Sequence, residues 1–351
     1  MTKSKIFETA ETGTIRLQNR IISSATCMGK FKFLLFAIAI LFFACTENKN
    51  PDVAAEDNDS GAMTVPATQT VFIENFDGNE PKKLENFYFA SGGNKAEWAW
   101  KTENGILKAA MDPADKAGAW NGQNFVGEKL SHFGRYSARI KIPSAETQPN
   151  VGGVVGFYTY YNDENSGGIL PKDENKNGLV DNSEIDFEWL IANPQIIYLT
   201  AWTDYQEKGG IVEFRKVSRI INLATGKIYS TTYAENWEQN IKLTGVENQP
   251  ETIAAIPDYD ASKNFYTYGF DWKSDNIRWW MINPKNSADT ITLWDYKGKN
   301  ERITQKQAYL SLNIWHTNNW PAEEKPGSTE APKDIFWMEF DWVKYEIFVE
   351  K

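Results

Sequence analysis

The segment Ser183-Glu184-Ile185-Asp186-Phe187-Glu188-Trp189-Leu190 places an acid at every second position. Side chains on a β-strand alternate between faces, so Glu184, Asp186 and Glu188 share one side while Ile185, Phe187 and Trp189 share the other. Three acids in a row on one sheet face repel one another in the absence of a partner. A solvated edge strand could carry them for solubility, but its reverse face would rarely be Ile-Phe-Trp. An apolar face opposite a solely acidic one fits a deep central strand whose acidic face lines a cleft. The chemistry open to such a row is that of paired carboxyls, one a nucleophile and the other a general acid and base. Four residues at ~3.3 Å each put the two glutamate Cα atoms roughly 13 Å apart. Inward-leaning side chains and sheet curvature bring the carboxyls towards the ~5–5.5 Å used for glycoside cleavage with retention, rather than the ~6.5–9.5 Å of an inverting pair.

The rest of the composition narrows the choice to carboxylate chemistry. The 351 residues contain two cysteines, Cys27 and Cys45, and two histidines, His132 and His316. No disulfide or thiolate serves the chain beyond Cys45, and the scarcity of histidine argues against a His-ligated zinc or a Ser-His-Asp triad. The net charge of −10 argues against nucleic acid as a partner, because that binding rests on Lys and Arg neutralising phosphates. The 14 Trp and 15 Tyr exceed what core packing usually requires. They suit either a Trp-rich sandwich core or a surface that stacks rings on the flat faces of a neutral sugar polymer.

Three regions follow from patterning. Residues 33–44 form an apolar run preceded by Lys30 and Lys32 and followed at once by Cys45. It is too short to span a bilayer and reads as the core of a signal peptide over residues 1–44, with Met28 as an alternative start. Ala44 directly before Cys45 resembles a bacterial lipoprotein cleavage site, so Cys45 is the expected lipidation site. That places the protein on the bacterial cell envelope, on a membrane and most simply the outer one. Residues 45–68 are polar and acidic and read as a flexible tether. Residues 69–351 show short alternating strands broken by Gly, Asn, Asp and Pro, as in Gly134-Arg135-Tyr136-Ser137-Ala138-Arg139-Ile140-Lys141-Ile142. No convincing helical period and no βαβ alternation occur. The expected fold is all-β, a sandwich or barrel of antiparallel sheets. Residues 163–183 and 203–262 are patterned more loosely and read as loops and hairpins leaving the sheet.

Glu184-Ile185-Asp186-Phe187-Glu188 resembles the signature of glycoside hydrolase family 16, in the bulge-free form typical of lichenases and xyloglucan transglycosylases. Further blocks occur in that family's order. They are His132-Phe133-Gly134-Arg135-Tyr136, Val154-Val155-Gly156-Phe157-Tyr158-Thr159-Tyr160, Tyr266-Thr267-Tyr268-Gly269-Phe270-Asp271-Trp272, Ile277-Arg278-Trp279-Trp280, Leu312-Asn313-Ile314-Trp315 and Phe340-Asp341-Trp342-Val343-Lys344-Tyr345. The resemblance spans nearly all of residues 70–346. It implies a jelly-roll sandwich of two curved antiparallel sheets with a cleft on the concave face. It also implies Glu184 as nucleophile, Glu188 as acid and base, and Asp186 as the group that holds and polarises the nucleophile. Tyr158, Tyr160, Trp202, Asn313 and Trp315 match positions that line the cleft, and Trp320 is expected at its rim. The family further implies a structural calcium, for which Asp341 is the matching residue; no cofactor is expected for catalysis.

Some positions depart from the family pattern. Asn124 and Val126 stand where lichenases usually carry Glu and Arg, Ser183 where Asp is common, and His316 where Asn is common. Asp173, Asn175, Asn177, Gly178 and Glu184 satisfy the spacing of a calcium loop, yet the twelfth ligand would be the expected nucleophile. The segment therefore reads as a polar loop, with Asp173, Asn175, Asn177 and Asp181 as the alternative donor set. The expected activity is endo-acting hydrolysis of a β-glucan, β-1,3/1,4-linked by preference, by a monomer. Xyloglucan, laminarin or a marine galactan as polymer, transglycosylation, and non-catalytic glycan binding on the same fold stay open.

Overall fold

A computed structural model describes residues 67–77, 86–89, 97–118, 121–318, 320–325 and 327–349. The chain divides into the units Met1–Ala62 and Met63–Lys351, and all described residues belong to the second. The expected signal segment, Cys45 and the tether up to residue 66 lie outside the described residues.

Among the described residues seventeen strands follow one another, joined by loops and a few short 3-10 turns. The first six are β1 (Thr68–Glu74), β2 (Phe87–Phe89), β3 (Trp100–Glu103), β4 (Ile106–Met111), β5 (Gln123–Ser131) and β6 (Gly134–Lys141). Then come β7 (Gly153–Asn162), β8 (Asp181–Leu190), β9 (Ile196–Lys208), β10 (Ile211–Asn222), β11 (Lys227–Ala234) and β12 (Ile241–Lys242). The last are β13 (Tyr266–Trp272), β14 (Ile277–Asn283), β15 (Asn286–Tyr296), β16 (Ala308–His316) and β17 (Phe336–Phe348). Among the described residues no helix is long and apolar enough to cross a membrane.

The strands form two antiparallel sheets, the curved layers of a jelly-roll sandwich. One has the order β15-β14-β13-β6-β17-β4-β3 with β1 also on β17; the other has β12-β11-β10-β9-β8-β7-β16-β5-β2. The alternation in β8 does what its sequence dictates. Ile185, Phe187 and Trp189 are fully buried between the sheets, where Phe187 stacks on Trp189 at 5.6 Å and Trp189 meets Tyr268 of the facing sheet at 4.7 Å. From β7, Phe157 reaches Phe270 at 5.6 Å. Stacked and tilted rings at these distances add to the burial of their large apolar areas. The inward residues of β8 thereby anchor a strand whose other face is free to carry acids.

Residues 163–180 are a loop, as their patterning suggests, but 203–262 differ from expectation. Regular pairing continues through β9, β10 and β11 as far as Ala234, and only the remainder of that stretch is largely irregular. These strands lie towards one edge of the nine-stranded sheet, where β9 ends exposed and β10 begins exposed. At that hairpin end solvent on both faces removes the apolar alternation on which a sequence reading of strands depends.

Candidate active site

The face of the nine-stranded sheet opposite the core carries the acid row. Pairing of β8 with both neighbours is unbroken from Glu184 to Glu188, with no bulge in between. Three rows therefore cross the sheet. Glu184 lies between Tyr160 of β7 and Trp202 of β9; Asp186 lies between Tyr158 and Thr200; Glu188 lies between Gly156 and Tyr198. The next strand out, β16, adds Tyr309, Ser311 and Asn313 to the same rows.

Gly156 leaves room for a neighbouring side chain. A Cβ there would come within 2.3 Å of Asn313 Oδ1, so the absent side chain lets Asn313 close over β7 towards Glu188. Asn313 Nδ2 donates to the Tyr158 hydroxyl at 3.4 Å, and that hydroxyl donates to Asn124 Oδ1 at 3.0 Å. Among the described residues Asn313 Oδ1 is left buried without a donor. Asn124, one of the departures from the family pattern, thus supports the floor of the site through Tyr158. Ser183 points the other way, donating from Oγ to the Lys306 carbonyl at 2.5 Å. His316 is also turned inward, its Nε2 lying 2.6 Å from the Asp115 carbonyl.

The acids line two connected depressions. Towards β7 and β16 the walls are Tyr158, Tyr160, Asn313 and Trp315. Towards β9 and β10 a groove of about 740 Å³ is lined by Tyr198, Thr200, Trp202, Lys216, Ser218, Trp237, Trp315 and Trp320 among others. Its rings are spaced along the groove. Trp315 lies 6.0 Å from Trp320, Trp320 lies 5.0 Å from Tyr198, and Trp202 lies 6.0 Å from Trp237. All six expected binding residues therefore gather around the acids, Tyr158 as buried floor and the others as wall.

Protonation in the row is governed by burial. Removal from water, with little help from donors, pushes Glu184 up to about 7 against the ordinary 4.5. The same burial, with the nearby charge of Glu184 added, pushes Glu188 up to about 8. Asp186 is raised well above its usual range by burial first and by both glutamates next. Asn182 Nδ2 donates to Glu184 Oε2 at 3.0 Å, and the Thr200 hydroxyl donates to Asp186. The row titrates as a unit, and its raised values near neutrality allow one member to be a base while another remains an acid.

Two groove residues escaped the sequence reading. Lys216 stands on β10 in the row of Trp202 and Glu184, and Trp237 comes from the loop after β11. Lys216 alternates with core-facing Val217, which is a signal, but only once β10 is known to be a strand. No local signal marks Trp237.

The residues at the expected calcium positions have protein partners among the described residues. Asp341 is ion-paired with Arg139 on the neighbouring strand β6. In the 173–181 loop, Asp173 accepts the main-chain N–H groups of Asn177 and Gly178 at 3.0 Å each, and Asp181 pairs with Lys306 at 2.9 Å. Asn175 and Asn177 donate to Asp204 at 3.1 and 2.7 Å. Among the described residues no group of three or more His, Cys, Asp or Glu is placed to hold a metal ion.

No family model matches the chain. Over 106 residues it is 30% identical to a beta-glucanase of Paenibacillus macerans, a match covering 30% of this chain and 38% of that protein. Over 87 residues it is 29% identical to a beta-glucanase of Paenibacillus polymyxa, covering 25% and 31%. The chain thus spans about a third of the length of the curated relatives it matches. Among solved structures it is similar to a Bacillus licheniformis beta-glucanase, with a TM-score of 0.46, 15% identity and coverage of 78% of this chain and 96% of that one. It is likewise similar to the catalytic domain of an endo-1,3-beta-glucanase (laminarinase) from Thermotoga petrophila, with a TM-score of 0.49, 15% identity and coverage of 82% and 100%.

Proposed function

We propose that this chain is an endo-acting β-glucan hydrolase of the glycoside hydrolase 16 type, in its bulge-free branch, that cleaves with retention. The observation that carries the reading is the unbroken row Glu184, Asp186, Glu188 at the floor of an aromatic groove, with the two glutamates raised by burial to about 7 and about 8. The partial matches to two beta-glucanases support β-glucan as the substrate class.

In the first half-reaction the ionised Glu184 carboxylate attacks the anomeric carbon, and protonated Glu188 gives its proton to the departing glycosidic oxygen. The glycosyl–Glu184 ester removes the negative charge that held the Glu188 proton. Glu188 then becomes acidic enough to act as base on a water that releases the sugar. Asp186, between them and hydrogen-bonded by Thr200, holds the row in register. The open groove, walled by rings on both sides of β8, suits a polymer bound across the acids rather than at a chain end.

The proposal includes a signal segment ending at Ala44, a lipid on Cys45 and a monomeric catalytic unit outside the cytoplasm, on the outer membrane of a bacterial envelope. The apolar run 33–44 that stops at Cys45 supports it. Metabolic labelling with palmitate, lost on Cys45→Ala, tests the anchor.

The catalytic reading is tested with the unit Met63–Lys351 on barley glucan, laminarin, xyloglucan, agar and carrageenan by reducing-end release. Glu184→Gln and Glu188→Gln should each lower kcat by about 10²-fold or more on the polymer that is cut. With azide and an activated glycoside, Glu184→Ala should give a product of inverted and Glu188→Ala one of retained configuration. Equal binding of a polymer by wild type and variants with no cleavage would replace the hydrolase by a glycan-binding protein.

A further inference from the structure

The groove walls on the β10 side hold two basic residues among those described, Arg219 and Lys216. The Arg219 guanidinium is fully buried and engaged elsewhere, donating to the Leu293, Asn248 and Pro250 carbonyls. Lys216 is different. Its ammonium lies 4.6 Å from the ring centre of Trp202 and 5.5 Å from that of Trp237, and it forms no salt bridge or hydrogen bond among the described residues. Aromatic faces attract a cation, but they replace only part of its hydration. An ammonium drawn out of water with no contacting anion is expensive unless a diffuse field of negative charge offsets it. The row register supplies that field, since Lys216, Trp202 and Glu184 are consecutive across β10, β9 and β8.

We propose that Lys216 is the counter-charge of the acid row, the positioning residue that allows one of three carboxyls to be ionised in the resting groove and so keeps the nucleophile charged. A groove of three carboxyls and one ammonium is neutral when a single carboxyl is ionised. Glu184 is that one because Asn182 donates to it at 3.0 Å and no side chain among the described residues donates to Glu188, while Asp186, although Thr200 donates to it, is pushed well up by burial and by the glutamates on both sides. The remaining groups that face the row do not compete. Tyr158 and Tyr160 from β7 and Tyr198 and Tyr205 from β9 are all raised above their usual values, chiefly by burial, and stay neutral. From the segment after β16, Glu323 acts on Tyr198. Burial lowers the Lys216 ammonium from its ordinary value, and the three carboxylates act against that loss by holding the proton on it, while the ammonium in turn lowers all three carboxyls. The consequence for turnover rests on the hydrolase reading, but the charge balance itself does not.

The test compares wild type with Lys216→Met, Lys216→Gln and Lys216→Arg in the full chain. Carboxyl-carbon NMR of glutamate-labelled protein, assigned with Glu184→Gln and Glu188→Gln, follows the row without any substrate. The Glu184 midpoint should rise by about one pH unit or more in both neutral variants, as expected for loss of a nearby opposite charge, and return in Lys216→Arg. The acidic limb of kcat/KM should move upward by the same amount and return likewise. Midpoints unchanged in whichever neutral variant folds would overturn the proposal. So would a raised KM with an unmoved acidic limb, which would make Lys216 a sugar-binding donor. A wild type inert on every glucan would defeat the hydrolase reading while the NMR titration still decides the role of Lys216.

Discussion

The indole nitrogen of Trp279 donates to the main-chain carbonyl of Asp186 at 3.0 Å. Trp279 belongs to β14 in the eight-stranded sheet, is fully buried, and stacks on Trp294 at 4.9 Å. The bond therefore crosses the core and fixes the middle of the acid strand from the sheet on the other side of it. A Trp at this position does two things, filling the space between the sheets and supplying the donor for a carbonyl that water does not reach.

Trp279→Phe removes the donor and part of the packed volume. The variant should lose about 1–2 kcal/mol in urea unfolding, from the lost second hydrogen bond to a carbonyl already in the sheet ladder together with imperfect repacking. Because the slackened strand carries the acids, kcat should fall more than KM rises. A stability loss with unchanged kcat would show that the ladder bonds of β7 and β9 alone hold the row in place.

Glu184 and Glu188 should tie stability to pH in the direction opposite to that of a salt-bridged acid. Their folded values, about 7 and about 8, lie above the ordinary 4.5, so between these limits the folded chain binds more protons than the unfolded one. Their stabilising contribution is complete below about pH 4.5 and is lost as pH rises through 7 and 8. Glu188→Gln cannot ionise. It should match wild type in Tm at pH 5 and exceed it at pH 9, by roughly 2–4 °C for each 1 kcal/mol of stability linked to the proton. Catalysis requires one carboxyl charged and one protonated, so kcat/KM of the wild type should be bell-shaped with its maximum between about 7 and 8. Equal Tm values at both pH values would mean that water reaches the acids freely in the resting groove.

Gly156→Ala probes the other half of the site. The new Cβ would sit 2.3 Å from Asn313 Oδ1, on the side chain that faces the groove beside Glu188. Asn313 must swing away, taking its bond to Tyr158 with it. The KM for the polymer should rise about 3–10-fold, the value of one neutral hydrogen bond. The pH profile should keep its shape, because neither acid moves. An altered acidic limb would mean that Asn313 also senses the charge of the row.

The parts of the site that the sequence made legible share a physical origin. Glu184, Asp186 and Glu188 lie on one strand, where a period of two is enough to put them on one face. Tyr158 and Tyr160 obey the same rule on β7, and Asn313 and Trp315 on β16. Lys216 could not be found that way. Its place beside Trp202 depends on the register of β9 with β10, which shifts between Arg215 and Lys216. A register shift is a long-range property, set by which strands pair and where the bulge falls, and it leaves no mark on local periodicity. The same holds for the fold at large. The buried strands β8, β13 and β14 show in their apolar alternation, whereas β10 and β11 carry polar residues on both faces and read as loops and hairpins leaving the sheet. Asp341 is a related case, since the pairing of a lone strand acid with Arg139 of the next strand leaves no local mark in the sequence.

Arg219 gives the sharpest stability prediction. It is fully buried with no carboxylate partner among the described residues, and burial lowers its guanidinium to about 10. Its donors instead serve Thr231 Oγ1 at 2.9 Å, the Leu293 carbonyl at 2.9 Å, the Asn248 carbonyl and side chain at 3.0 and 2.8 Å, and the Pro250 carbonyl at 3.0 Å. One planar fork thereby ties β10 to β11, to β15 of the other sheet and to the turn at 248–250, a set of acceptors that a lysine cannot span. Arg219→Met removes the buried charge but strands several carbonyls without donors, and about 3 kcal/mol or more should be lost. In calorimetry that corresponds to a Tm lower by roughly 6–12 °C, with Arg219→Lys falling between the variant and wild type. Below the transition both variants should keep the pH profile of the wild type, since the guanidinium points away from the acids. A profile shifted in Arg219→Met alone would assign part of the groove's positive field to Arg219 and lessen the share that belongs to Lys216.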